Sequence, residues 1–221
     1  LITSALMLLV YTIVEPAAKD GWGDGSTLGF LAGSIVLLVA FVAREATVDN
    51  PLIPLRMFRS RNTAGANIIW FVSVPAMFGM FFLGALYCEQ VLGYSPLQIG
   101  LAFLPGSLIM GVLSLKYTER LTHRFGMRPV IIVGLALVLA AIVLFARTPV
   151  DGDYVTDLLP LMILFGIGGG LSFPALMGLA MSDAEPQDAG VASGLVNTTA
   201  QVGGALGLAV LATVAASETD T

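Results

Sequence analysis

Residues 158–181 read LLPLMILFGIGGGLSFPALMGLAM and contain no charged side chain. An α-helix rises 1.5 Å per residue, so about 20 such residues cross the roughly 30 Å hydrocarbon core of a bilayer. Six further apolar stretches also lack charge, and they are 1–14, 27–43, 63–88, 96–115, 129–146 and 189–216. Because a charge at the bilayer centre costs about 3 kcal/mol, the pattern predicts an all-α integral membrane protein with seven transmembrane helices.

The bulk composition excludes several other classes of protein. The chain is 57% hydrophobic and 11% charged, whereas a soluble domain carries about 25% charged residues. Its basic residues form two short groups with no aromatic platform between them, which argues against nucleic-acid binding. Cys88 is the single cysteine, and the apolar stretches hold no titratable groups that could perform catalysis. We therefore expect neither an enzyme nor a cofactor.

The distribution of cations predicts the orientation of the chain. Eight of the ten Lys and Arg residues fall in the connections 44–62 and 116–128. Short connections rich in Lys and Arg stay in the cytoplasm. We expect a multi-pass protein of the plasma (inner) membrane with a cytoplasmic N-terminus and residue 221 outside. The first stretch, 1–14, would give only about 21 Å of helix, so we expect that the chain is a fragment whose first span is cut.

Glycine pairs at a spacing of four predict close contacts between helices. Residues four apart share one face of a helix, and small residues on that face let two backbones approach in lipid. The pairs are Gly166 and Gly170, Gly190 and Gly194, and Gly203 and Gly207.

A few polar residues stand out in or beside the apolar stretches. Asn197 and Gln201 are four apart in 189–216, and an amide inside a span points to a partner helix or to a wet cavity. Hydrogen bonding between helices and contact with a ligand both remain open for this pair. Glu89 follows the aromatic-rich stretch 63–88. It is either an exposed loop carboxylate or a proton-titrating or cation-attracting group at the outer mouth of a cavity.

Four motifs occur in order between residues 51 and 207. They are PLIPLRMFR (51–59), YCEQVLGYSPLQ (87–98) with GLAFLP (100–105), RFGMRP (124–129), and DAGVASGLVNT (188–198) with QVGGALG (201–207). Together they resemble the C-terminal part of the 14-span drug:proton antiporters of the major facilitator superfamily. Arg124, Gly126 and Arg128 then belong to a degenerate second copy of the superfamily's cytoplasmic loop motif. The chain departs from the family at Glu89, where an amide is usual, and at Ala200, where Arg is usual.

The resemblance implies a partial major-facilitator fold with about spans 7 to 13 of 14. On that alignment 1–43 forms two linker helices, 44–62 a cytoplasmic linker loop, 63–216 a C-terminal half without its last helix, and 217–221 an extracytoplasmic tail. Superfamily members are built from repeats that rock around a site near the midplane of the membrane. The stretches 63–88 and 158–181 would line the cavity, 189–216 would meet the other half, and 129–146 would lie outside.

The function implied is that of a fragment of a proton-coupled exporter of hydrophobic or cationic drug-like compounds, working by alternating access. Its partners would be the lipid bilayer, a small hydrophobic substrate, protons and a missing N-terminal half. The candidate cavity residues are Asn67, Trp70, Phe78, Phe82, Asn197 and Gln201, and Glu89 is a candidate for proton coupling. The alternative is a non-transporting membrane-embedded scaffold or enzyme subunit that resembles half of a transporter.

Overall fold

The computed structural model describes residues 1–19, 21–48, 60–149, 151–185 and 188–219. It describes the side chains of these residues except at 18, 19 and 212–219. Within these ranges the chain is helical and forms no strand. The helices are α1 (Ile2–Val14), α2 (Pro16–Lys19), α3 (Gly25–Thr47), α4 (Arg61–Gln90), α5 (Pro96–Val112), α6 (Thr118–Phe125), α7 (Met127–Phe145), α8 (Leu159–Met181) and α9 (Ala189–Thr219). A π-helical segment, Leu113–Tyr117, joins α5 to α6, and a second, Tyr154–Leu158, leads into α8.

Six helical stretches of the described residues are long and apolar enough to cross a membrane. They are Gly25–Thr47, Arg61–Gln90, Pro96–Phe125, Met127–Phe145, Tyr154–Met181 and Ala189–Leu211. The seventh apolar helix, Ile2–Val14, has only 13 residues. The prediction of an all-α integral membrane protein is confirmed, and so is the expectation that the first apolar stretch is too short to span.

One predicted connection is helical instead. The cationic residues 116–128 were expected to form a loop, but helix continues from Pro96 to Phe125 and carries Lys116 and Arg120 with it. Backbone hydrogen bonding does not stop where hydropathy falls, and the residues of α6 are acceptable helix formers. The helix ends at Gly126, whose φ of +87° lies in the left-handed region that favours glycine. The predicted linker 44–62 lies mostly outside the described residues.

The contacts divide the chain into two compact units. The first unit comprises Leu1–Gly79 and Asp183–Thr221, and the second comprises Met80–Ser182. Helix α4 contributes residues 61–79 to the first unit and 80–90 to the second. Each unit has its own set of close helix contacts.

In the second unit, α8 lies between α5 and α7. Glycines on two of its sides let both neighbouring helices approach its backbone closely. A methyl group on Gly166 would collide with the backbone of Gly106 in α5, and one on Gly170 would lie 2.8 Å from the carbonyl oxygen of Met110. On the other side, a methyl group on Gly168 would lie 2.6 Å from the carbonyl oxygen of Gly134 in α7. Backbones therefore touch directly on both sides of α8, which increases the dispersion contact that holds helices together in lipid.

Pro174 leaves one backbone acceptor in α8 without its usual partner. Proline has no N–H, so the carbonyl oxygen of Gly170, four residues earlier, cannot accept the regular helical hydrogen bond. The buried hydroxyl of Thr118 donates to this oxygen at 2.7 Å. The same hydroxyl lies 2.9 Å from the carbonyl oxygen of Leu113, at the start of the π-helical segment. The first residue of α6 thus compensates for the proline in α8.

In the first unit, α1 packs on α3 through small and hydroxyl-bearing residues. Ala5, Thr12, Thr27 and Ser34 are each fully buried. The hydroxyl of Thr12 donates to the carbonyl oxygen of Leu8 at 2.6 Å, and that of Ser34 to Leu31 at 2.9 Å. Hydroxyl groups that bond to their own helix can be buried at a helix interface at little cost. Helix α9 also lies in this unit, where it contacts both α1 and α4.

Candidate functional site

The first part of α4 and the middle of α9 pack along a close parallel interface, which we call the α4–α9 seam. It pairs Asn67 with Thr199, Phe71 with Gly203, Pro75 with Gly207, and Gly79 with Leu211. Each pair lies four residues after the one before on both helices, so the helices run in the same direction. All of these residues belong to the first unit.

Glycines make the close approach in this seam possible. A methyl group on Gly203 would lie 2.7 Å from the carbonyl oxygen of Phe71, and one on Gly207 would collide with the ring of Pro75. Pro75 also deprives the Phe71 oxygen of its helical donor, since it lies four residues later in α4. The oxygen thus faces the one residue type that lets the neighbouring backbone come close to it.

Asn67 is a buried member of the seam. Its side chain is 5% exposed. The amide nitrogen donates to the carbonyl oxygen of Thr63 at 2.9 Å, and the amide oxygen accepts from the hydroxyl of Thr199 at 3.1 Å. The structure therefore shows this candidate cavity residue holding two helices together.

The other cavity candidates are placed in different surroundings. Phe78 packs on Gly204 in the seam, where a methyl group would lie 2.8 Å from its ring, yet the side chain is 39% exposed. Trp70 is half-buried on α4. Asn197 is exposed on α9 and donates to the carbonyl oxygen of Ser193 at 2.9 Å. Phe82 lies in the second unit and is 38% exposed.

Gln201 lies on another side of α9, where this helix meets α1. An open groove of about 720 Å³ runs between the two helices. Its lining consists of Leu6, Met7, Val10, Tyr11, Val14, Glu15, Gln201, Val202 and Ala205. Ligand pockets for drug-sized molecules commonly measure about 300–1,000 Å³ and combine apolar walls with a few polar groups. We call this feature the α1–α9 groove.

The predicted loop motif spans the junction of α6 and α7. Gly126 separates the two helices, and the guanidinium group of Arg124 lies 5.2 Å from the centre of the Phe125 ring. Arg124 and Arg128 are both exposed. Nearby, His123 approaches Glu119 to 3.9 Å, but both side chains are about four fifths exposed, so the pair contributes little.

The predicted packing glycines differ in their surroundings. Gly166, Gly170, Gly203 and Gly207 each lie against a neighbouring helix, as described above. A methyl group on Gly190 or Gly194 would meet nothing within 4 Å among the described residues. Glu89 is exposed in the last turn of α4.

Several residues that position the helices were not singled out from the sequence. Thr118 is one. A second is Asp183, whose carboxylate accepts from the hydroxyl of Ser60 and, at 3.2 Å, from the amide of Asn62 at the start of α4. A third is Glu45, a partnered acid that is only 7% exposed near the end of α3. Spacing in the sequence does not reveal that Thr118 donates to the Gly170 oxygen, because the two residues are 52 positions apart.

The described residues contain no group of three or more His, Cys, Asp or Glu side chains that could hold a metal ion. They do contain an aromatic cluster in the second unit. The ring of Phe81 lies 5.4 Å from that of Phe103 and 6.0 Å from that of Phe165, centre to centre. Such pairs stabilise helix packing by about 0.5–1.5 kcal/mol each beyond the area that they bury.

Comparison with known proteins agrees with this architecture. The profile of the Major Facilitator Superfamily matches residues 1–208. The chain therefore belongs to the Major Facilitator Superfamily, and its apolar helices are those of a partial major-facilitator fold.

Similar proteins are named for antibiotic resistance or export. A puromycin resistance protein of Streptomyces alboniger is 36% identical over 216 residues, which is 97% of this chain and 42% of the relative. A cephamycin export protein of Amycolatopsis lactamdurans is 36% identical over 220 residues, 99% of this chain and 45% of the relative. A tetracenomycin C resistance and export protein of Streptomyces glaucescens is 32% identical over 98% of this chain and 40% of its own length. The chain thus spans less than half the length of these relatives.

Proposed function

We propose that the chain is part of a proton-coupled secondary transporter that exports hydrophobic or cationic drug-like compounds by alternating access. The observation that carries the proposal is the similarity to resistance and export proteins along nearly the whole chain. The helices also suit the role, since they present apolar surface with a few amides, which is how binding sites for varied apolar ligands are built.

The transporter would need more than this chain. The chain covers less than half of its relatives, and alternating access requires two sets of helices that rock around a shared site. We propose that 1–43 supplies linker helices, 44–62 a cytoplasmic linker, 63–216 one wall of the cavity and 217–221 an extracytoplasmic tail. A complementary N-terminal half would supply the other wall.

The proposed orientation places the cationic connection 116–128 in the cytoplasm of the cell, on the inner side of the plasma membrane. The proposed contacts to substrate come from Trp70, Phe78, Phe82, Asn197 and Gln201, with Asn67 supporting them from the seam. Glu89 is the proposed proton-coupling residue, since its exposed carboxylate lies in the last turn of the aromatic-rich helix. A scaffold or enzyme subunit would have the same helices but would move no substrate.

A chimeric protein tests the proposal. The chain replaces the matching stretch of the Streptomyces alboniger relative, and inverted membrane vesicles that hold the chimera receive an imposed proton gradient. We expect gradient-dependent uptake of ethidium that stops when a protonophore is added, and no uptake with the chain alone. A chimera that reaches the membrane in folded form and takes up no ethidium and no puromycin would contradict the proposed export.

A further inference from the structure

The helix that runs from Pro96 to Phe125 is longer than the hydrocarbon core that it crosses. It has 30 residues, and at 1.5 Å per residue it measures about 45 Å, against about 30 Å of hydrocarbon. Its charge-free part, 96–115, is about 30 Å long and fills the core by itself. The residues from Lys116 onward therefore lie outside the hydrocarbon.

Two exposed side chains mark the boundary of the hydrocarbon on this helix. Leu115 is 88% exposed, and Tyr117 is 42% exposed. An exposed leucine is favoured in hydrocarbon, whereas tyrosine is enriched at the membrane–water interface. The headgroups add about 5–7 Å on each side of the core, which is about three to five helical residues. The turn that follows Tyr117 therefore lies at the level of the lipid headgroups.

Three cations follow each other from this boundary at a spacing of four residues. They are Lys116, Arg120 and Arg124, and all three side chains are exposed. Residues four apart share one face of a helix, and we call this set the cationic ridge. The buried Thr118 bonds to α8, and Arg120 lies about 200° further around the helix. The ridge is thus on the side of the helix that the second unit leaves uncovered.

The charge of the ridge is not neutralised by the described part of the chain. None of its three cations forms an ion pair with a described residue. Glu119 is the carboxylate next to the ridge in the sequence, and it approaches the imidazole of His123 to 3.9 Å instead. The ridge therefore presents three positive charges with one exposed negative charge beside it, and it attracts anions.

The same face of the helix is apolar on the membrane side of the ridge. Val112 and Leu108 precede Lys116 by four and eight residues, and Leu104 continues the row. All three are exposed. An acyl chain can lie along these side chains, which offer only hydrocarbon contact. The face thus presents hydrocarbon and then cations, in the order in which a phospholipid presents its acyl chains and its phosphate.

We propose that the cationic ridge binds the headgroup of an anionic phospholipid, with the acyl chains along the apolar row below it. The depth of the ridge and its charge both select this occupant, since Lys and Arg that directly follow a membrane-spanning helix attract anionic lipid. The two arginines can each pair with phosphate through two parallel hydrogen bonds, and Lys116 adds a point charge. The proposal does not rest on the proposed function, because lipid binding requires no transport.

Native mass spectrometry of the purified full chain, released from detergent, measures this binding. The chain is titrated with palmitoyl-oleoyl phosphatidylglycerol and, separately, with the zwitterionic phosphatidylcholine that has the same acyl chains. We expect phosphatidylglycerol to bind at least about tenfold more tightly. Arg120→Gln should weaken its binding about fivefold, which is the contribution of one cation near an anionic surface. The triple variant Lys116→Gln, Arg120→Gln, Arg124→Gln should bind the two lipids alike.

Three further variants separate lipid recognition from a structural role. Arg147→Gln removes an exposed arginine of the second unit that lies outside the ridge, and it should bind phosphatidylglycerol like the unchanged chain. Lys116→Arg keeps the charge and should keep the affinity. Glu119→Gln removes the carboxylate beside the ridge and should tighten phosphatidylglycerol binding, which loss of packing would not do. Far-ultraviolet circular dichroism and the melting temperature establish that each variant is folded.

Four results would overturn the proposal. The first two are equal affinity of the unchanged chain for the two lipids, and a folded triple variant that keeps the preference for phosphatidylglycerol. Displacement of the bound lipid by excess inorganic phosphate would mean that the ridge recognises free phosphate. Loss of the preference in the folded chimera would mean that protein covers the ridge in the longer transporter. Export by the chimera is a separate readout, so its failure would defeat only the proposed transport.

Discussion

At the scale of single residues, the backbone carbonyl of Gly170 shows how this protein tolerates proline in a membrane helix. Lipid offers no hydrogen-bond donor, so an acceptor freed by proline must find one in the protein. Here the donor is the hydroxyl of Thr118, at 2.7 Å. Helix α8 can therefore keep both Pro174 and a run of glycines and still remain continuous from Leu159 to Met181.

Thr118→Val should destabilise the second unit by about 1 kcal/mol, because it removes this donor but keeps the side chain's shape. Unfolding of the purified chain by titration with sodium dodecyl sulfate measures the change. Pro174→Ala restores the backbone N–H that bonds to the Gly170 oxygen. In a Pro174→Ala background, Thr118→Val should therefore lower the free energy of unfolding by less. The control is Thr122→Val, whose hydroxyl bonds only within its own exposed helix. An equal effect of the two threonine substitutions would contradict this role.

Asp24 caps α3, and its carboxylate should make the stability of the folded chain depend on pH. The hydroxyl and the backbone N–H of Ser26 donate to its carboxylate at 2.5 and 2.8 Å, and these bonds hold the pKa of Asp24 below its ordinary value of 3.8. A lowered pKa in the folded chain means that the stabilisation is present above pH 3.8 and is lost as the pH falls through the lower value.

Ser26→Ala should raise the pKa of Asp24, since it removes the hydroxyl donor. Titration of the Asp24 carboxyl carbon by NMR in the folded chain measures the shift. A pKa that is the same with and without the Ser26 hydroxyl would show that the cap does not depend on this bond.

Asn67 shows what sequence can and cannot decide at this scale. An amide in an apolar stretch correctly indicates a polar partner, but the residue pattern does not say whether the partner is a ligand or a helix. Thr199 is 132 positions away, and no local periodicity predicts that pairing. For the same reason, local periodicity does not predict the bond between Thr118 and Gly170, which are 52 positions apart.

A double-mutant cycle on Asn67→Leu and Thr199→Val should give a coupling of about 0.6 kcal/mol and at most about 1.7 kcal/mol, as found for hydrogen bonds between membrane helices. The measurement is unfolding of the four proteins in the same detergent. Purely additive costs would mean that the two side chains do not stabilise the seam through each other.

At the scale of helices, glycine spacing predicts a shared face but not what lies opposite. Gly166 with Gly170 and Gly190 with Gly194 have the same spacing. Only the first pair faces a neighbouring backbone among the described residues. Spacing is a property of one helix, whereas contact depends on where the neighbouring helix lies, so sequence alone treated the two pairs alike.

Gly170→Ala should therefore destabilise the chain by about 1–3 kcal/mol, because the added methyl group would lie 2.8 Å from the Met110 oxygen. Gly194→Ala should stabilise it by about 0.5–1 kcal/mol, because alanine is the better helix former and has room. Thermal unfolding of the two single variants compares them directly. A loss of stability in Gly194→Ala as large as that in Gly170→Ala would contradict the helix contacts described above.

Helix ends were harder to predict than helix cores. Hydropathy located the seven apolar helices that the described residues form, since the cost of burying charge limits each stretch. It ended the fourth stretch at residue 115, although helix continues to Phe125. Charged residues such as Lys116 and Arg120 are compatible with helix once they leave the hydrocarbon region, and only Gly126 provides a backbone reason to stop.

At the scale of the whole molecule, the account depends on consecutive membrane-spanning helices crossing the membrane in opposite directions. Four ordered motifs were enough to indicate the superfamily from sequence, because the four together are specific although each alone is only moderately so. The candidate site remains a prediction, and the structure divides several of its members among the seam, the groove and the second unit. Those groupings come from packing between helices that are distant in sequence.

Cysteine accessibility tests the central arrangement most directly. In a Cys88→Ser background, Phe125→Cys marks the end of α6 and Val155→Cys marks the segment before α8, both at exposed positions. A membrane-impermeant maleimide should label Val155→Cys in intact cells, and Phe125→Cys only in inverted vesicles, because α7 lies between them and crosses the bilayer. Labelling of both positions from the same side would contradict the transmembrane arrangement on which the proposed transport depends.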